Sequence, residues 1–159
     1  MKIAVGSDER THLTDQVIAN LQQRGHELLL YGPLQDQPAY WPTVAQAVAE
    51  AVAVGAADEG LLFCWTGTGV SLAANKVSGI RAALCDDAET ARGARLWNAA
   101  NVLCLSLRRT SEIEAGEILD AWFQHSYQPN EVDDACLAQI AALENQYRKQ
   151  AITEASPDQ

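Results

Sequence analysis

The stretch Gly60-Leu-Leu-Phe-Cys-Trp-Thr-Gly-Thr-Gly-Val-Ser-Leu-Ala-Ala-Asn-Lys76 decides the fold of this chain. Its apolar run Leu61–Cys64 predicts a buried strand, its glycine-rich centre predicts a turn, and Val70–Ala74 is compatible with a helix. A strand, a glycine-rich turn and a helix in this order aim several backbone amides, and the positive end of the helix dipole, at one point. The segment therefore predicts a place where negative charge is stabilised.

Cys64 stands where this predicted strand ends. A thiolate there would be stabilised by the same amides and dipole, so one segment can hold a base or nucleophile beside a cradle for an oxyanion. The alternative is structural, because a cysteine at a strand end is more often a small buried apolar residue. The turn matches neither the dinucleotide-binding fingerprint nor the P-loop.

Strand and helix patterns alternate on both sides of this stretch. The predicted strands are Lys2–Gly6, His26–Tyr31, Leu61–Cys64, Ile80–Cys85 and Asn101–Ser106. Six helices are predicted. The first begins at a Thr11 or Thr14 cap and ends at Arg24, and the fifth begins at a Thr110 or Ser111 cap and ends at Phe123. The others cover Thr43–Ala53, Val70–Ala74, Ala88–Leu96 and Val132–Gln150, and residues 151–159 are predicted to be a frayed tail. The alternation predicts a parallel sheet with helices on both faces, in one domain over residues 1–150.

Ligands of such sheets bind beyond the carboxyl ends of the strands. The predicted strand ends are Ser7-Asp8-Glu9, Cys64 to Gly69, Asp86-Asp87 and Leu107-Arg108-Arg109. The topology therefore places Asp8 and Cys64 on the same edge of the sheet.

Composition restricts the classes of partner. The 159 residues carry 11 lysines and arginines against 21 aspartates and glutamates, a formal net charge of −10, which argues against nucleic acid and anionic membranes as partners. No apolar run approaches the roughly 18 residues of a membrane span, and the first residues enter a strand pattern directly, so we expect a cytoplasmic protein. The four cysteines lack metal-ligand spacing, and no metal site is expected.

Four motifs resemble the ribose-5-phosphate isomerase B family, which includes the galactose-6-phosphate isomerase subunits. They are Ala4–Asp8, Cys64–Lys76, Gly79–Ala83 and Asn98–Leu103, in the family's order and spacing. The resemblance implies an α/β/α sandwich in three layers with a five-stranded parallel, Rossmann-like sheet. It also implies a homodimer, or a pair of dimers, with active sites built from both chains. The implied reaction interconverts aldose and ketose through an enediolate, with no metal or cofactor.

The resemblance also implies roles for individual residues. Cys64 matches the family's base, and Thr66 matches a threonine that assists at the sugar oxygen. The amides of the turn Gly67, Thr68 and Gly69 match the oxyanion donors. Asp8 matches a substrate-binding aspartate, and Asn98 matches an asparagine near the reacting oxygens. These roles fit the local chemistry of the strand–turn–helix segment.

Several positions depart from the family pattern. Glu9 and Trp97 replace histidines, of which the second assists ring opening; Trp41 replaces a tyrosine, and Trp65 replaces a glycine. The paired phosphate-binding arginines fall at Glu131 and Ala135, so that only the position of Arg108 keeps its positive charge. Trp122, in contrast, matches a structural position.

These departures predict that ribose 5-phosphate is a poor substrate, because like charge repels a phosphate dianion. The tryptophans predict an uncharged or cationic ligand, such as a free sugar, with Glu9 and Glu131 receiving hydroxyl or amine groups and Glu9 or water serving ring opening. The alternative is a lost site filled by bulky residues. The competing functions are a non-catalytic sugar-binding or regulatory relative and a subunit of a hetero-oligomeric isomerase.

Overall fold

The computed structural model describes residues 1–154 and, of these, the side chains of residues 1–147. The strands are β1 Lys2–Ser7, β2 Glu27–Tyr31, β3 Glu59–Cys64, β4 Ala82–Leu84 and β5 Val102–Ser106. The α-helices are α1 His12–Gln23, α2 Trp41–Ala53, α3 Thr68–Ala74, α4 Ala88–Asn98, α5 Glu112–Gln124 and α6 Glu131–Glu154. A 3₁₀ turn, Gly32–Gln35, follows β2.

Element type and order are as predicted, and the differences lie at boundaries. β4 has only three residues, at the edge of the sheet, whereas the sequence predicts a strand over Ile80–Cys85. α2 begins at Trp41, two residues before the predicted start, with Pro42 in its first turn. α6 continues to Glu154, so the predicted tail 151–159 begins as helix, and 155–159 lie outside the described residues.

The strands form one parallel sheet in the order β2-β1-β3-β5-β4. The chain builds outward from β1 to β2 and then returns to add β3 on the other side of β1, so the strand order reverses between β1 and β3. Open α/β sheets bind ligands beyond the carboxyl ends of the strands at such a switch point. We call this end of the sheet the carboxyl edge and the opposite end the amino edge.

Side-chain alternation along the strands builds two cores. Ile3, Val5, Leu61 and Phe63 pack with α1, α4 and α5 on one face, and Ala4, Leu62 and Cys64 pack with α2 and α3 on the other. The sheet is therefore the middle of three layers, as the resemblance implies.

Two glycines let α2 approach the sheet closely. A Cβ atom at Gly6 would lie 2.5 Å from Val44 Cγ1, and one at Gly60 would lie 2.9 Å from Val48 Cγ1. Only a residue without a side chain leaves room for these valines. The close approach brings the start of α2 to the carboxyl edge beside β1 and β3.

The chain divides into two compact units, Met1–Tyr127 and the segment from Gln128 that contains α6. Asn130 caps α6, since its side-chain Oδ1 accepts a hydrogen bond of 2.9 Å from the Asp133 amide. Among the helices described, none is both long enough and apolar enough to cross a membrane.

Candidate active site

The carboxyl edge brings the predicted residues of β1 and β3 together. Ser7 pairs with Phe63 and Cys64 pairs with Ser106, so Asp8, directly after β1, and Cys64, the last residue of β3, lie at the same end of the sheet. The topological prediction for these two residues is confirmed.

Cys64 is largely buried but not sealed. It is 5% exposed and packs on the sheet face that carries α2 and α3. Its carbonyl accepts hydrogen bonds from the amides of Gly67, at 3.2 Å, and Leu107, at 3.0 Å. These two bonds hold the backbone at the thiol in one conformation, because they tie the turn after β3 to the turn after β5.

Cys85 and Cys104 differ from Cys64 in their surroundings. Burial, together with the nearby carboxylates of Asp87 and Asp86, raises the pKa of Cys85 to about 12. Cys104 is fully enclosed, and burial likewise raises the pKa of its thiol. Both are therefore neutral thiols of the core at physiological pH, and neither suits the role of a base.

The glycine-rich turn has the geometry that the sequence predicts. Gly67 has φ 74° and precedes α3, and a Cβ atom there would lie 2.5 Å from Leu84 Cδ1. The hydroxyl oxygens of Thr66 and Thr68 lie 2.7 Å apart in a hydrogen bond. The Gly67 amide is already engaged with the Cys64 carbonyl, whereas Thr68 and Gly69 belong to the first turn, whose amides have no acceptor within the helix.

A cleft of about 610 Å³ opens at the switch point. We call it the aromatic cleft; it is lined by Asp8, Glu9, Pro33, Pro38, Ala39, Tyr40 and Trp65. Trp65 is 61% and Tyr40 is 85% exposed. Large exposed aromatic surfaces beside two carboxyl groups are typical of a binding site rather than of a core.

Asp8 is the polar residue of this cleft with an unmet hydrogen bond. Its Oδ1 atom is buried, and none of the described residues donates a hydrogen bond to it. Burial raises the pKa of the Asp8 carboxyl and the Glu9 carboxylate adds to this, while a hydrogen bond from its own backbone amide acts in the opposite direction. A buried acceptor without a donor costs free energy, so a ligand that supplies the donor would recover it.

Backbone and hydroxyl contacts position Trp65 and Glu9 at the rim. The Trp65 carbonyl accepts hydrogen bonds from Ser106 Oγ and from the Arg108 amide, each at 3.0 Å. Ser7 Oγ donates to the Glu9 carbonyl at 2.5 Å. Hydrogen bonds therefore fix the backbone of both residues just beyond the strands, while their side chains remain exposed.

The three tryptophans do not meet in one cleft within a single chain. The Trp41 ring lies against Gly69, where a Cβ atom would be 3.1 Å from Trp41 Cε3. Trp97 instead lines a second hollow of about 460 Å³, the tryptophan hollow, together with Asn98, Leu84, Glu89, Thr90, Gly93, Ala83 and Ala94. Within one copy of the chain Trp97 therefore lies apart from Trp65, because α4 ends beside the edge strand β4 rather than at the switch point.

Arg108 lies outside the lining of the aromatic cleft. The Arg108 side chain is exposed, and Glu131 is the first residue of α6, in the second compact unit. No three His, Cys, Asp or Glu side chains gather as a metal site would require, among the residues described.

Sequence reasoning did not assign Tyr40, Pro33, Pro38 and Ala39 to the site. They come from the segment between β2 and α2, whose turn-rich composition indicates a loop but not its direction. Their common signal is position, since loops after β-strands of a parallel sheet lie at its carboxyl edge.

Comparisons with known proteins identify the family and the same fold. Residues 3–140 match the family model described as Ribose/Galactose Isomerase. The chain is 39% identical over 128 residues to ribose-5-phosphate isomerase B of Escherichia coli, covering 80% of this chain and 86% of the relative. It is 37% identical over 131 residues to D-erythrulose-4-phosphate isomerase of Pectobacterium atrosepticum, with the same coverage of 80% and 86%. The ribose-5-phosphate isomerase B structure from Clostridium thermocellum superposes with a TM-score of 0.86 at 36% identity, covering 92% of this chain and 99% of that one.

Proposed function

The chain belongs to the ribose/galactose isomerase family and is an aldose–ketose isomerase, and we propose that Cys64 is the base of its reaction. The thiolate takes the proton from the carbon beside the substrate carbonyl, an enediolate forms, and the proton returns to the neighbouring carbon. The observation that carries this assignment is the place of Cys64 at the end of β3, beside the switch point and adjacent to Trp65 of the aromatic cleft.

The developing negative charge needs donors that are already in position. The amides of Thr68 and Gly69 suit this role, because they belong to the first turn of α3. The paired hydroxyls of Thr66 and Thr68 lie in the same turn and can pass a proton between the two sugar oxygens. The Gly67 amide holds the Cys64 carbonyl and so supports the turn rather than the oxyanion.

Asp8 and Glu9, which line the aromatic cleft with Trp65, complete the proposal. Asp8 accepts a hydrogen bond from a substrate hydroxyl through its buried Oδ1. Glu9 is exposed at the rim, where it serves as the acid–base group for ring opening in place of the family's histidine.

A second copy of the chain completes the site in this proposal. Trp97 and Asn98, which the family resemblance places at the substrate, line the tryptophan hollow, and Trp97 is 52% exposed. A homodimer, or a pair of dimers, with shared active sites would bring these residues to the partner's aromatic cleft. The four cysteines are free, which suits a reducing compartment such as the cytoplasm.

A substitution at the thiol tests the proposed base. Cys64→Ala should lower kcat by about 10²–10⁴-fold, the range of a general base, measured as exchange of the proton at C2 of an aldose in D₂O by NMR. Cys136→Ala, at an exposed thiol on α6, is the matched control and should leave the rate unchanged. Full turnover in Cys64→Ala would contradict the assignment, and ligand binding without turnover in the wild type would favour the non-catalytic alternative.

Mixing two inactive variants tests the shared site. If Cys64 and Asn98 act in one site from different copies, mixed Cys64→Ala and Asn98→Ala proteins should regain about a quarter of wild-type activity after random exchange of subunits. No recovery, with subunit exchange demonstrated by mass spectrometry, would place both residues in the same copy's site.

A further inference from the structure

We propose that the aromatic cleft binds a sugar without a phosphate group, one that offers hydroxyl or amino hydrogens to Asp8 and Glu9, and that Glu9 is the residue that disfavours phosphate. The inference rests on the proposed function, because it concerns the substrate of that same site. It differs from the named activities of the E. coli and P. atrosepticum relatives, which act on phosphorylated sugars.

The cleft presents hydrogen-bond acceptors to its ligand. Asp8 Oδ1 is buried with no donor among the described residues, and an ionised carboxylate only accepts hydrogen bonds. A sugar hydroxyl or ammonium group supplies the missing donor. A phosphate group does not supply this donor, because its oxygens are acceptors as well, so Asp8 selects the hydroxyl or amino groups of the ligand.

The charges that line the cleft have one sign. Asp8 and Glu9 are its acidic lining residues, and no lysine, arginine or histidine lines it. Arg10 pairs with Asp15 at 2.9 Å, and Arg109 pairs with Asp86 at 3.4 Å. Like charges repel, most strongly where water is partly excluded. The carboxylates of Asp8 and Glu9 therefore weaken the binding of a phosphate dianion in the cleft.

Arg108 is the cation that could oppose this conclusion. Its amide is bonded to the Trp65 carbonyl, so its backbone lies at the rim, and its side chain is exposed. Arg108 is not among the residues that line the cleft, whereas two carboxyl groups are, one of them with a buried oxygen. Arg108 lacks a second arginine to form the paired, bidentate grip that phosphate recognition favours.

The positions of the family's paired arginines, Glu131 and Ala135, supply no cation in a second copy either. Residues 128–147, which include the family's phosphate-binding positions, contain no lysine or arginine and carry four acidic residues, Glu131, Asp133, Asp134 and Glu144. A segment of this composition adds negative charge wherever it contributes to a shared site.

The remaining lining suits the carbon skeleton of a sugar. Trp65 and Tyr40 expose most of their surface, and Pro33 and Pro38 add apolar walls. Aromatic faces pack against the C–H face of a sugar ring without requiring charge, while carboxylates receive the hydroxyls at its rim. The 610 Å³ of the cleft falls within the usual size range of small-molecule sites.

The test compares each sugar with its own phosphate ester. D-ribose with D-ribose 5-phosphate, D-erythrose with D-erythrose 4-phosphate, and D-glucosamine with D-glucosamine 6-phosphate are assayed for turnover by NMR and for binding by tryptophan fluorescence. For at least one pair we expect the free sugar to exceed the ester by at least about tenfold in kcat/KM or affinity, since one unfavourable charge contact accounts for about this ratio. Inorganic phosphate should neither inhibit nor quench.

Two matched variants isolate the contribution of Glu9. Glu9→Gln should raise the ester-to-sugar ratio by about fivefold to tenfold, because it removes one negative charge from the lining. Glu50→Gln makes the same change on α2, nine residues and roughly 13 Å along the helix from Trp41, and should leave the ratio at its wild-type value.

The outcomes separate this inference from the proposed function. Preference for the phosphate esters, in turnover or in binding, would overturn the inference and leave the isomerase proposal intact. Binding of a free sugar without turnover would support the inference and contradict the role of Cys64. Binding of neither a sugar nor its ester across the panel would overturn the inference.

Discussion

Two carboxyl groups lie at opposite edges of the same sheet, the buried Glu59 at the amino edge and the half-buried Asp8 at the carboxyl edge. Burial raises the pKa of both. They differ in their partners, because the oxygens of Glu59 are paired within the protein while one oxygen of Asp8 is not.

Glu59 belongs to a closed network. Arg95 donates to its Oε1 at 2.5 Å and Trp122 Nε1 donates to its Oε2 at 2.6 Å. Arg95 Nη1 also donates to the Ala100 carbonyl at 2.5 Å, and its Nε donates to the His125 carbonyl at 3.2 Å. The network ties β3 to α4 and α5, and Trp122 is the structural residue that the sequence predicts.

The difference separates a structural carboxyl group from a candidate functional one. A buried charge whose hydrogen bonds are all met stabilises one packing arrangement and has no capacity left for a ligand. An acceptor left unpaired at a cleft is costly in the free protein and becomes useful when a ligand arrives. Breaking each site separately tests whether this division is correct.

The largest effect is expected at Glu59. Glu59→Ala leaves Arg95 buried without its counter-charge and should lower the free energy of unfolding by about 3–5 kcal/mol, measured by urea denaturation. Activity per folded molecule should stay at the wild-type level, because the network lies at the amino edge. A loss of kcat at unchanged stability would contradict the structural assignment.

Asp8→Asn should give the opposite pattern. Loss of a hydrogen bond to a charged group, about 1.5–3 kcal/mol, should reduce kcat/KM by about 10- to 150-fold, while the free energy of unfolding stays equal or rises. Asp58→Asn at the amino edge, where the side chain accepts from the Lys2 amide at 2.7 Å, is the control. If Asp8→Asn unfolds more easily than the wild type and keeps its activity, Asp8 is a structural residue like Glu59.

The glycine turn offers a smaller test of the carboxyl edge. Gly67→Ala combines a left-handed φ of 74° with a Cβ atom 2.5 Å from Leu84 Cδ1, whereas Gly79→Ala has φ 81° with no atom within 4 Å. Both should lose about 1 kcal/mol from backbone strain, and Gly67→Ala should lose about 1–2 kcal/mol more from the contact with Leu84. If thermal denaturation shows the same loss of stability in both variants, the contact with Leu84 does not explain the need for glycine at position 67.

The pH dependence gives the smallest effect. Because the pKa of Asp8 is raised in the folded protein, the native state holds this proton more tightly than the unfolded state does. Its stabilising contribution is therefore present below the ordinary pKa of 3.8 and is lost as the pH rises through the native pKa. The free energy of unfolding of Asp8→Asn should therefore increase relative to that of the wild type as the pH rises across this window. The increase should be less than about 1 kcal/mol, because water screens the half-buried group. A constant difference between pH 4 and 7 would show that Asp8 has an ordinary pKa.

The fold and the position of Cys64 could be predicted because they rest on local patterns. Apolar runs, the Thr11 and Ser111 caps and the glycine turn act within a few residues of the chain. The buried pair of Glu59 and Arg95 could not be predicted, because a glutamate beside an apolar run carries no signal of a partner 36 residues away.

By itself, the sequence determined the alternation of strands and helices, the parallel sheet and the meeting of Asp8 and Cys64 at one edge, since these follow from periodicity and from the right-handed crossover. Only the tertiary structure decided that Trp97 lies in a hollow apart from Trp65. It alone also decided which carboxyl group is paired and which is not. Hydrogen-bond satisfaction is a property of side chains brought together from distant parts of the chain, and no local pattern encodes it.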